Sequence, residues 1–393
     1  MVYKIGNEEV EAIKEVMRYS KFDRYIDGDN SITTRFEREF SEKIGTNYSL
    51  AVSSGTAALI CGLAAMEIGP GDEVIIPSYT YIATALAVLA VGAIPIIAEI
   101  DESLTIDPTD ISSKITTRTK AIIPVHMRGL PCNMSDILQI AKQYKLLILE
   151  DSAQACGGSY KGVRLGALGD AGMFSFNHYK NITCGEGGAL VTNNLKIYQR
   201  AIIQHHGGYI YEIDAPNFQI DSFAGWNFRL SEIQSAMLRV QLTRLDGILE
   251  ALRTEKDFIL SRIEENSQAL KANLIYDKKG DCGSNVFFIF RTSEQAKKFI
   301  EITTAEDIDV WCAYTKGHVY SEWEPILRGK GAHHPLRNPL SNQKVSSFYS
   351  TDMCPRTLDI LNRTIGISTK IDRPSFVLEE LVQRLIKTAN YVR

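Results

Sequence analysis

The sequence predicts an α/β fold in which a largely parallel sheet is covered by helices. Short apolar runs rich in β-branched residues alternate with segments of helix length. Runs that are apolar on both faces are typical of strands buried inside a parallel sheet. Ligands of such folds gather at the carboxyl ends of the strands. The predicted strands lie at 48–53, 73–77, 94–100, 121–126, 145–151, 171–176 and 188–192.

The pattern changes after this region. Apolar residues recur near periods of three and four from 230 to about 266, which predicts a long helix that is bent or broken near Gly247. The remaining chain alternates again, with strands at 284–290 and 308–311, helices at 293–302 and 375–391, and a loop-like segment at 312–360. We therefore expect a large domain over 1–245 and a smaller C-terminal α/β domain over 246–393. We also expect an N-terminal helix, which could pack on the small domain.

Composition narrows the class of partner. The 393 residues include 43 basic and 47 acidic ones, giving a net charge of -4, and the basic residues form no cluster. This balance argues against nucleic acid and anionic membranes as partners and favours a small-molecule substrate. The seven scattered cysteines lack a C-x-x-C pair, so we expect reduced thiols and no metal site. The absence of a signal-peptide pattern predicts a cytoplasmic protein.

A lysine and an acid occupy the positions where this fold places ligands. Asp151 ends one predicted strand, and Lys180 follows another, just before the Gly-Glu-Gly-Gly sequence at 185–188. A lysine so placed can form a Schiff base with pyridoxal phosphate while an acid holds the proton of the pyridine nitrogen. If each residue is considered alone, Lys180 is better explained as a solvated surface lysine, and Asp151 as a helix N-cap or an ion-pair partner. Their combination predicts an enzyme.

Other residues match the remaining parts of that cofactor. The Ser-Ser-Gly-Thr sequence at 53–56 joins a strand to an alanine-rich helix, and such a junction offers backbone N–H groups to a phosphate. Ser175 could add a hydroxyl, Tyr81 could stack on a planar ring, and Gln154 could supply an amide. Each has an ordinary alternative as turn chemistry, a rim aromatic or a first-turn polar residue. Their order along the chain is the stronger signal.

This order is the point at which the chain resembles a family, the DegT/StrS-type sugar aminotransferases of the fold-type-I aspartate-aminotransferase superfamily. The resemblance covers nearly the whole chain and implies that fold and an aminotransferase activity. It also implies that Gly55, Thr56 and Ser175 hold the cofactor phosphate. The motifs that carry the resemblance lie at 54–59, 150–155, 169–176, 180–188 and 225–229.

The same resemblance implies the contacts of the cofactor ring. Asp151 bonds the ring nitrogen, Gln154 bonds the ring hydroxyl, and Tyr81 stacks on the ring. Lys180 forms the aldimine and serves as general base and acid. Asn227 is implied to reach the cofactor phosphate of a second subunit, so a homodimer with shared active sites is expected. Some relatives carry histidine instead of the lysine and are sugar dehydratases, so the lysine here argues for transamination.

The substrate is less tightly specified. The segments 124–129, 180–186 and 353–357 resemble a subgroup that aminates a free eight-carbon acid sugar, 3,8-dideoxy-8-oxo-octulosonate, with glutamate as donor for lipopolysaccharide synthesis. We place that substrate slightly ahead of a nucleotide-linked 3-keto or 4-keto deoxysugar. The candidate substrate-binding residues are His126, Arg128, Arg229, Lys316 and Arg337.

Two further classes remain as alternatives. A non-catalytic regulatory or binding protein of this fold would often lack the lysine or the acid, and both are present here. A dehydrogenase with a dinucleotide-binding cradle would need a strand followed by G-x-G-x-x-G, which the sequence lacks.

Overall fold

The structure is a computed structural model that describes residues 3–24, 28–210, 218–267, 269–341 and 349–392. Its large sheet has the order β1-β9-β8-β5-β4-β2-β3. Every pairing that excludes β9 is parallel, whereas β9 runs antiparallel to both of its neighbours. The strands of this sheet are β1 (Tyr48–Val52), β2 (Glu73–Pro77), β3 (Ile94–Ala98), β4 (Thr119–Ile122), β5 (Leu147–Asp151), β8 (Ala171–Ser175) and β9 (Gly188–Thr192). All seven predicted strands are present.

Helices cover both faces of this sheet. Successive strand residues point to opposite faces, so Leu50 and Val52 join one apolar cluster and Ala51 joins the other. The first cluster includes residues of α3, α4 and α7, and the second includes residues of α2, α5, α6 and α8. The helices are α1 (Asn7–Tyr19), α2 (Ile32–Ile44), α3 (Gly55–Ala65), α4 (Ala83–Ala90), α5 (Pro108–Lys114), α6 (Met134–Tyr144), α7 (Leu195–His205) and α8 (Glu232–Asn266).

Helix α8 runs without interruption from Glu232 to Asn266, so the predicted break near Gly247 is wrong. Glycine lowers helix stability only by about 1 kcal/mol, and the flanking leucines are anchored in the second apolar cluster. Beyond Leu252 the same helix contributes Ile259 and Ile263 to a third cluster. One helix therefore connects the core of the large sheet with that of the C-terminal region.

The C-terminal region is built on a separate antiparallel sheet with the order β10-β11-β13-β12. Helices α9 and α12 pack on it through the third cluster. The elements of this region are β10 (Lys271–Ala272), β11 (Asn285–Ile289), α9 (Ser293–Ala305), β12 (Trp311–Cys312), α10 (Glu324–Leu327), α11 (Pro355–Asn362), β13 (Thr364–Ser368) and α12 (Ser375–Val392). Earlier in the chain, β6 (Ser159–Tyr160) and β7 (Val163–Arg164) form a small antiparallel hairpin.

Helix α1 packs on the first half of α8. The Glu9 carboxylate accepts hydrogen bonds from Gln241 and Arg244 at 2.6 Å each. All seven cysteines are free thiols. Within the described ranges, none of the helices combines the length and the apolar character needed to cross a bilayer.

Candidate active site

The junction between β1 and α3 forms a backbone cradle. The Ser54 hydroxyl caps α3 by accepting the Ala57 N–H at 3.0 Å. The N–H groups of Gly55 and Thr56 belong to the first turn of α3, so there is no preceding helical turn whose carbonyls could accept hydrogen bonds from them. A Cβ atom on Gly55 would lie 2.9 Å from the Cβ of Ser175, so only glycine lets the cradle approach the end of β8 this closely. An anion is the natural occupant of such a helix start.

Lys180 lies in the loop between β8 and β9. A hydrogen bond from the Phe176 N–H to the Gly187 carbonyl, at 2.8 Å, closes the base of that loop. Burial lowers the pKa of the Lys180 ammonium, and the positive charge of Arg128 adds to this effect, whereas Asp151 and Glu186 oppose it. A lysine with a lowered pKa has more of the neutral amine that can act as nucleophile or base.

Asp151 ends β5 and is 4% exposed. Burial raises the pKa of its carboxyl, while hydrogen bonds and the charge of Lys180 act in the opposite direction. The structure thus brings together Asp151 and Lys180, as the sequence predicted.

Two hydrogen bonds orient the Asp151 carboxylate. The Ala153 N–H donates to Oδ1 at 3.1 Å, and the Thr84 hydroxyl donates to Oδ2 at 2.9 Å. Thr84 lies at the start of α4, 2.8 Å from the hydroxyl of Thr80. Sequence analysis missed Thr84. The only available signal was the spacing of two threonines four residues apart, at the predicted strand end where Tyr81 also lies.

The loop after β2 forms one wall of the site together with a C-terminal segment. The Thr80 N–H donates to the His318 carbonyl at 2.9 Å, and the Ile82 N–H donates to the Gly317 carbonyl at 3.3 Å. This pairing sets the Tyr81 ring 5.5 Å from the His318 ring, with 50° between their planes. Tyr81 keeps an exposed face that could take a planar ring. His318 was not singled out from the sequence.

Gln154 and Arg128 meet on another side of the site. The Arg128 N–H donates to Gln154 Oε1 at 3.2 Å, and the Arg128 guanidinium lies 4.7 Å above the centre of the Trp311 ring. Because the charge of Arg128 affects the pKa values of both Lys180 and His318, the guanidinium is near the centre of the site. Arg128 is the predicted substrate residue that the structure best supports.

His126 does not fit its predicted role in substrate binding. Its side chain is fully buried, and both ring nitrogens have protein partners. Nδ1 accepts the Cys132 N–H at 3.1 Å, which leaves Nε2 to donate to Glu150 at 3.1 Å. Glu150 in turn accepts backbone N–H groups of the loop at 166–169. His126 therefore lies in the core with both ring nitrogens already bonded, and the structure gives its predicted role in substrate binding no support.

The surroundings of the four other predicted residues, Asn227, Arg229, Lys316 and Arg337, are different. The side chain of Asn227 is exposed and accepts the Arg229 N–H at 3.3 Å. Arg229 is half-buried and its backbone pairs with Val52 at the end of β1. Lys316 is exposed two residues before His318, and Arg337 is exposed on a short turn, Pro335–Arg337. In the described parts of the chain, none of these four side chains makes a direct contact with Lys180 or Asp151.

Pyridoxal phosphate fits the groups that the chain brings together. The cradle that lacks room for a Cβ suits the phosphate, and Lys180 and Asp151, which influence each other electrostatically, suit the aldehyde and the ring nitrogen. The exposed face of Tyr81 could cover the ring. Among the described residues, no cluster of histidine, cysteine or acidic side chains could hold a metal ion.

Comparison with known proteins agrees with this geometry. The chain is 35% identical over 341 residues to dTDP-3-amino-3,6-dideoxy-alpha-D-galactopyranose transaminase of Aneurinibacillus thermoaerophilus, covering 84% of this chain and 88% of that protein. It is 41% identical over 217 residues to GDP-perosamine synthase of Caulobacter vibrioides, and this match spans little more than half of either protein, 55% and 57%.

The chain also matches a solved structure and a family model. The crystal structure of 3-amino-5-hydroxybenzoic acid synthase superposes with a TM-score of 0.80 at 26% identity, over 99% of this chain and 97% of that one. Residues 4–358 match the model of the DegT/DnrJ/EryC1/StrS aminotransferase family. The predicted family, fold type and cofactor are confirmed. The chain thus belongs to the DegT/DnrJ/EryC1/StrS aminotransferase family and is a pyridoxal-phosphate-dependent sugar aminotransferase.

Proposed function

We propose that the enzyme transfers the amino group of L-glutamate to the keto carbon of a nucleotide-linked deoxysugar. The half-buried Lys180 and the buried Asp151 lie close enough for each charge to act on the other, beside an anion cradle, and this is the observation that carries the chemistry. The acceptor is inferred from the relatives, two of which are named for GDP-linked or dTDP-linked amino sugars. They favour the nucleotide-linked sugar over the octulosonate that sequence motifs placed slightly ahead.

Each residue of the site has a definite part in this proposal. Bound pyridoxal phosphate supplies an aldehyde that condenses with amines and a ring that accepts electrons. Asp151 would keep the ring nitrogen protonated, because a nearby anion favours the charged form of that atom. Lys180 would bind the aldehyde between turnovers and, as a free amine, would accept the proton that leaves the donor's α-carbon. Gly55, Thr56 and Ser175 would hold the phosphate.

We also propose that the enzyme is a homodimer whose Asn227 completes the partner's site. Asn227 and its neighbour Trp226 are exposed in the single chain, and Trp226 is 58% exposed. Tyr81 of the candidate site is 54% exposed as well. Large aromatic side chains that stay exposed beside a site are typical of surfaces that a partner covers.

An acceptor assay tests the proposal. The purified enzyme is given glutamate and either a GDP- or dTDP-linked 3-keto or 4-keto deoxysugar, or free 3,8-dideoxy-8-oxo-octulosonate, and release of 2-oxoglutarate is followed. We expect turnover with at least one nucleotide-linked sugar. Turnover confined to the octulosonate would overturn the proposed acceptor, and a colourless protein that never binds the cofactor would overturn the chemistry.

A further inference from the structure

Arg128 has a backbone conformation that is unusual for its residue type. Its φ of 56° and ψ of 24° lie in the left-handed region, which costs free energy for any residue except glycine. Hydrogen bonds hold this conformation from both sides. The N–H donates to Gln154, and the carbonyl accepts the Ser284 hydroxyl at 2.9 Å. The surrounding structure therefore fixes the direction of the Arg128 side chain.

The guanidinium of Arg128 has an aromatic support but no anion. It lies on the Trp311 ring, and its Nε atom is buried with no hydrogen-bond acceptor among the residues that the structure describes. Its side chain forms no ion pair with any acid in the described ranges. A buried charged donor without a partner is costly, so such groups in native proteins commonly serve a ligand.

Two more buried polar atoms lie near the same guanidinium. The Tyr79 side chain is fully buried, and its hydroxyl meets no acceptor of suitable geometry among the described residues. His318 Nδ1 is buried and unpaired in the same way. Burial lowers the pKa of His318 to about 4, with Arg128 contributing, so the ring is neutral at pH 7 and has one N–H to donate. Polar groups from three chain segments, Arg128, Tyr79 and His318, thus lie close together.

The place of this cluster identifies the anion. The α-carboxylate of an amino donor is bonded directly to the carbon that loses its proton, so it must lie beside Lys180. The diphosphate of a nucleotide sugar is separated from its keto carbon by part of the sugar ring and would lie farther away. Arg128 is close enough for its charge to act on Lys180. A carboxylate also matches the planar fork of a guanidinium.

We propose that Arg128, aided by the Tyr79 hydroxyl and His318, binds the α-carboxylate of the amino donor. This inference rests on the proposed aminotransferase function and adds the receptor for one of its two substrates. Trp311 supports the guanidinium from behind. Arg128 therefore acts in the half-reaction that consumes glutamate and has little part in the half-reaction that consumes the keto sugar.

Measuring the two half-reactions separately distinguishes a role of Arg128 in donor binding from a general effect on activity. The holoenzyme is mixed with glutamate alone, and the change in cofactor absorbance gives kcat/KM for the donor. The enzyme loaded with pyridoxamine phosphate is then mixed with the nucleotide-linked keto sugar alone. We expect Arg128→Met to lower kcat/KM for glutamate about 100-fold and to leave the sugar half-reaction within about threefold of the wild-type rate. Arg128→Lys, which keeps the charge but not the fork, should recover part of the loss.

Tyr79→Phe is a second test that leaves the strained residue Arg128 in place, since it removes only the Tyr79 hydroxyl. We expect about a tenfold loss with glutamate and none with the sugar. Arg328→Met, at an exposed arginine paired with Glu324, is the matched control and should change neither rate.

Each outcome of the half-reaction experiments gives a definite answer. If Arg128→Met slows the sugar half-reaction and spares glutamate, or if both half-reactions slow equally in Arg128→Met and Tyr79→Phe, the assignment is overturned. If wild-type enzyme reacts with glutamate but with no nucleotide-linked sugar, the proposed acceptor fails while the donor result can still be read. If wild type does not react with glutamate, the proposed function and this inference both fail.

Discussion

At the scale of single residues, the charge of Asp151 depends on opposing influences. Burial raises the pKa of its carboxyl, and the hydrogen bond from Thr84 lowers it. Hydrogen bonds to an ionised carboxylate are stronger than those between neutral groups because they stabilise the charge directly. Thr84 is thus a positioning residue whose hydrogen bond favours the ionised form of Asp151, the form that could hold the proton of the ring nitrogen.

Replacing Thr84 with valine removes that hydrogen bond at nearly constant volume. Burial then acts on Asp151 with less opposition, so its pKa rises and the carboxylate takes up a proton at higher pH than in wild type. We expect the acid limb of the kcat profile to move to higher pH and kcat at pH 7 to fall about tenfold. Thr84→Ser keeps the hydroxyl and should retain the wild-type profile. An unmoved acid limb in Thr84→Val would contradict the role of Thr84.

Lys180→Ala tests the central residue directly. Without the amine, the proton of the donor's α-carbon loses its proposed acceptor, and turnover should fall by about 10³-fold or more. The variant can still retain cofactor through the phosphate cradle. Borohydride treatment followed by mass mapping should attach the cofactor to the peptide containing Lys180 in wild type and to no peptide in the variant. Attachment elsewhere in wild type would remove the assignment.

At the residue scale, the sequence indicates candidate site residues where a suitable residue type falls at a predicted strand end, as Asp151, Lys180 and Ser175 do. It could not show the surroundings of His126, because Cys132 and Glu150 bond its ring nitrogens only in the folded chain. The orientation of Arg128 was equally hidden, since a left-handed turn at an arginine leaves no trace in the sequence.

At the scale of elements, α8 shows that one glycine does not end a long helix. Gly247 is exposed, and a Cβ atom there would meet nothing within 4 Å. The helix is capped by Ser231 at its start, and its leucines pack in the second apolar cluster. The sequence pattern predicted the length of the helix well, but it could not weigh this packing against the local preference of glycine.

Gly247→Ala should therefore stabilise the protein. Alanine loses less backbone entropy than glycine on helix formation, and no atom stands in its way, so we expect a gain of about 0.5–1 kcal/mol in the free energy of unfolding. Urea denaturation of the apoenzyme measures it. Gly157→Ala is the opposite control, because φ is +86° there and the added Cβ would lie 2.5 Å from Leu249 of the same helix. A loss of stability in Gly247→Ala would show that α8 is strained at this point.

Strand direction was only partly predictable. The segments between most strands have helix length, which favours parallel pairs. Residues 176–187, between β8 and β9, instead fold back as the loop that carries Lys180, and this return makes β9 antiparallel. The exception to the parallel pattern thus coincides with the placement of the reactive lysine.

At the scale of the whole molecule, the site depends on contacts between distant parts of the chain. The Arg128 carbonyl is held by Ser284, and the Tyr276 hydroxyl donates to Asp101 at 2.5 Å. The buried side chains of Lys256 and Asp281 form an ion pair that fixes α8 to the segment before β11. Composition and periodicity predicted two sheets and a connecting helix. They could not predict which side chains join them, because those pairs are far apart in sequence.

The proposed homodimer is testable by mixing two inactive variants. Lys180→Ala removes the reactive amine, and Asn227→Asp places a negative charge where we expect the partner's cofactor phosphate, so each homodimer should have less than about 1% of wild-type activity. In a mixed dimer, a shared site means that one site carries both changes and the other carries neither. Random exchange of subunits makes about half of the dimers mixed, so about a quarter of wild-type activity should return.

The same experiment distinguishes a shared site from one completed within each chain. If Asn227 served the site of its own subunit, every site in a mixed dimer would carry one of the two changes, and no activity would return. Mixing Lys180→Ala with Asp151→Asn is the matched control, because both residues lie at the same strand ends of one chain and their loss cannot be complemented. Recovery confined to the Asn227 mixture, together with a dimer mass in solution, is what a site built across two subunits requires.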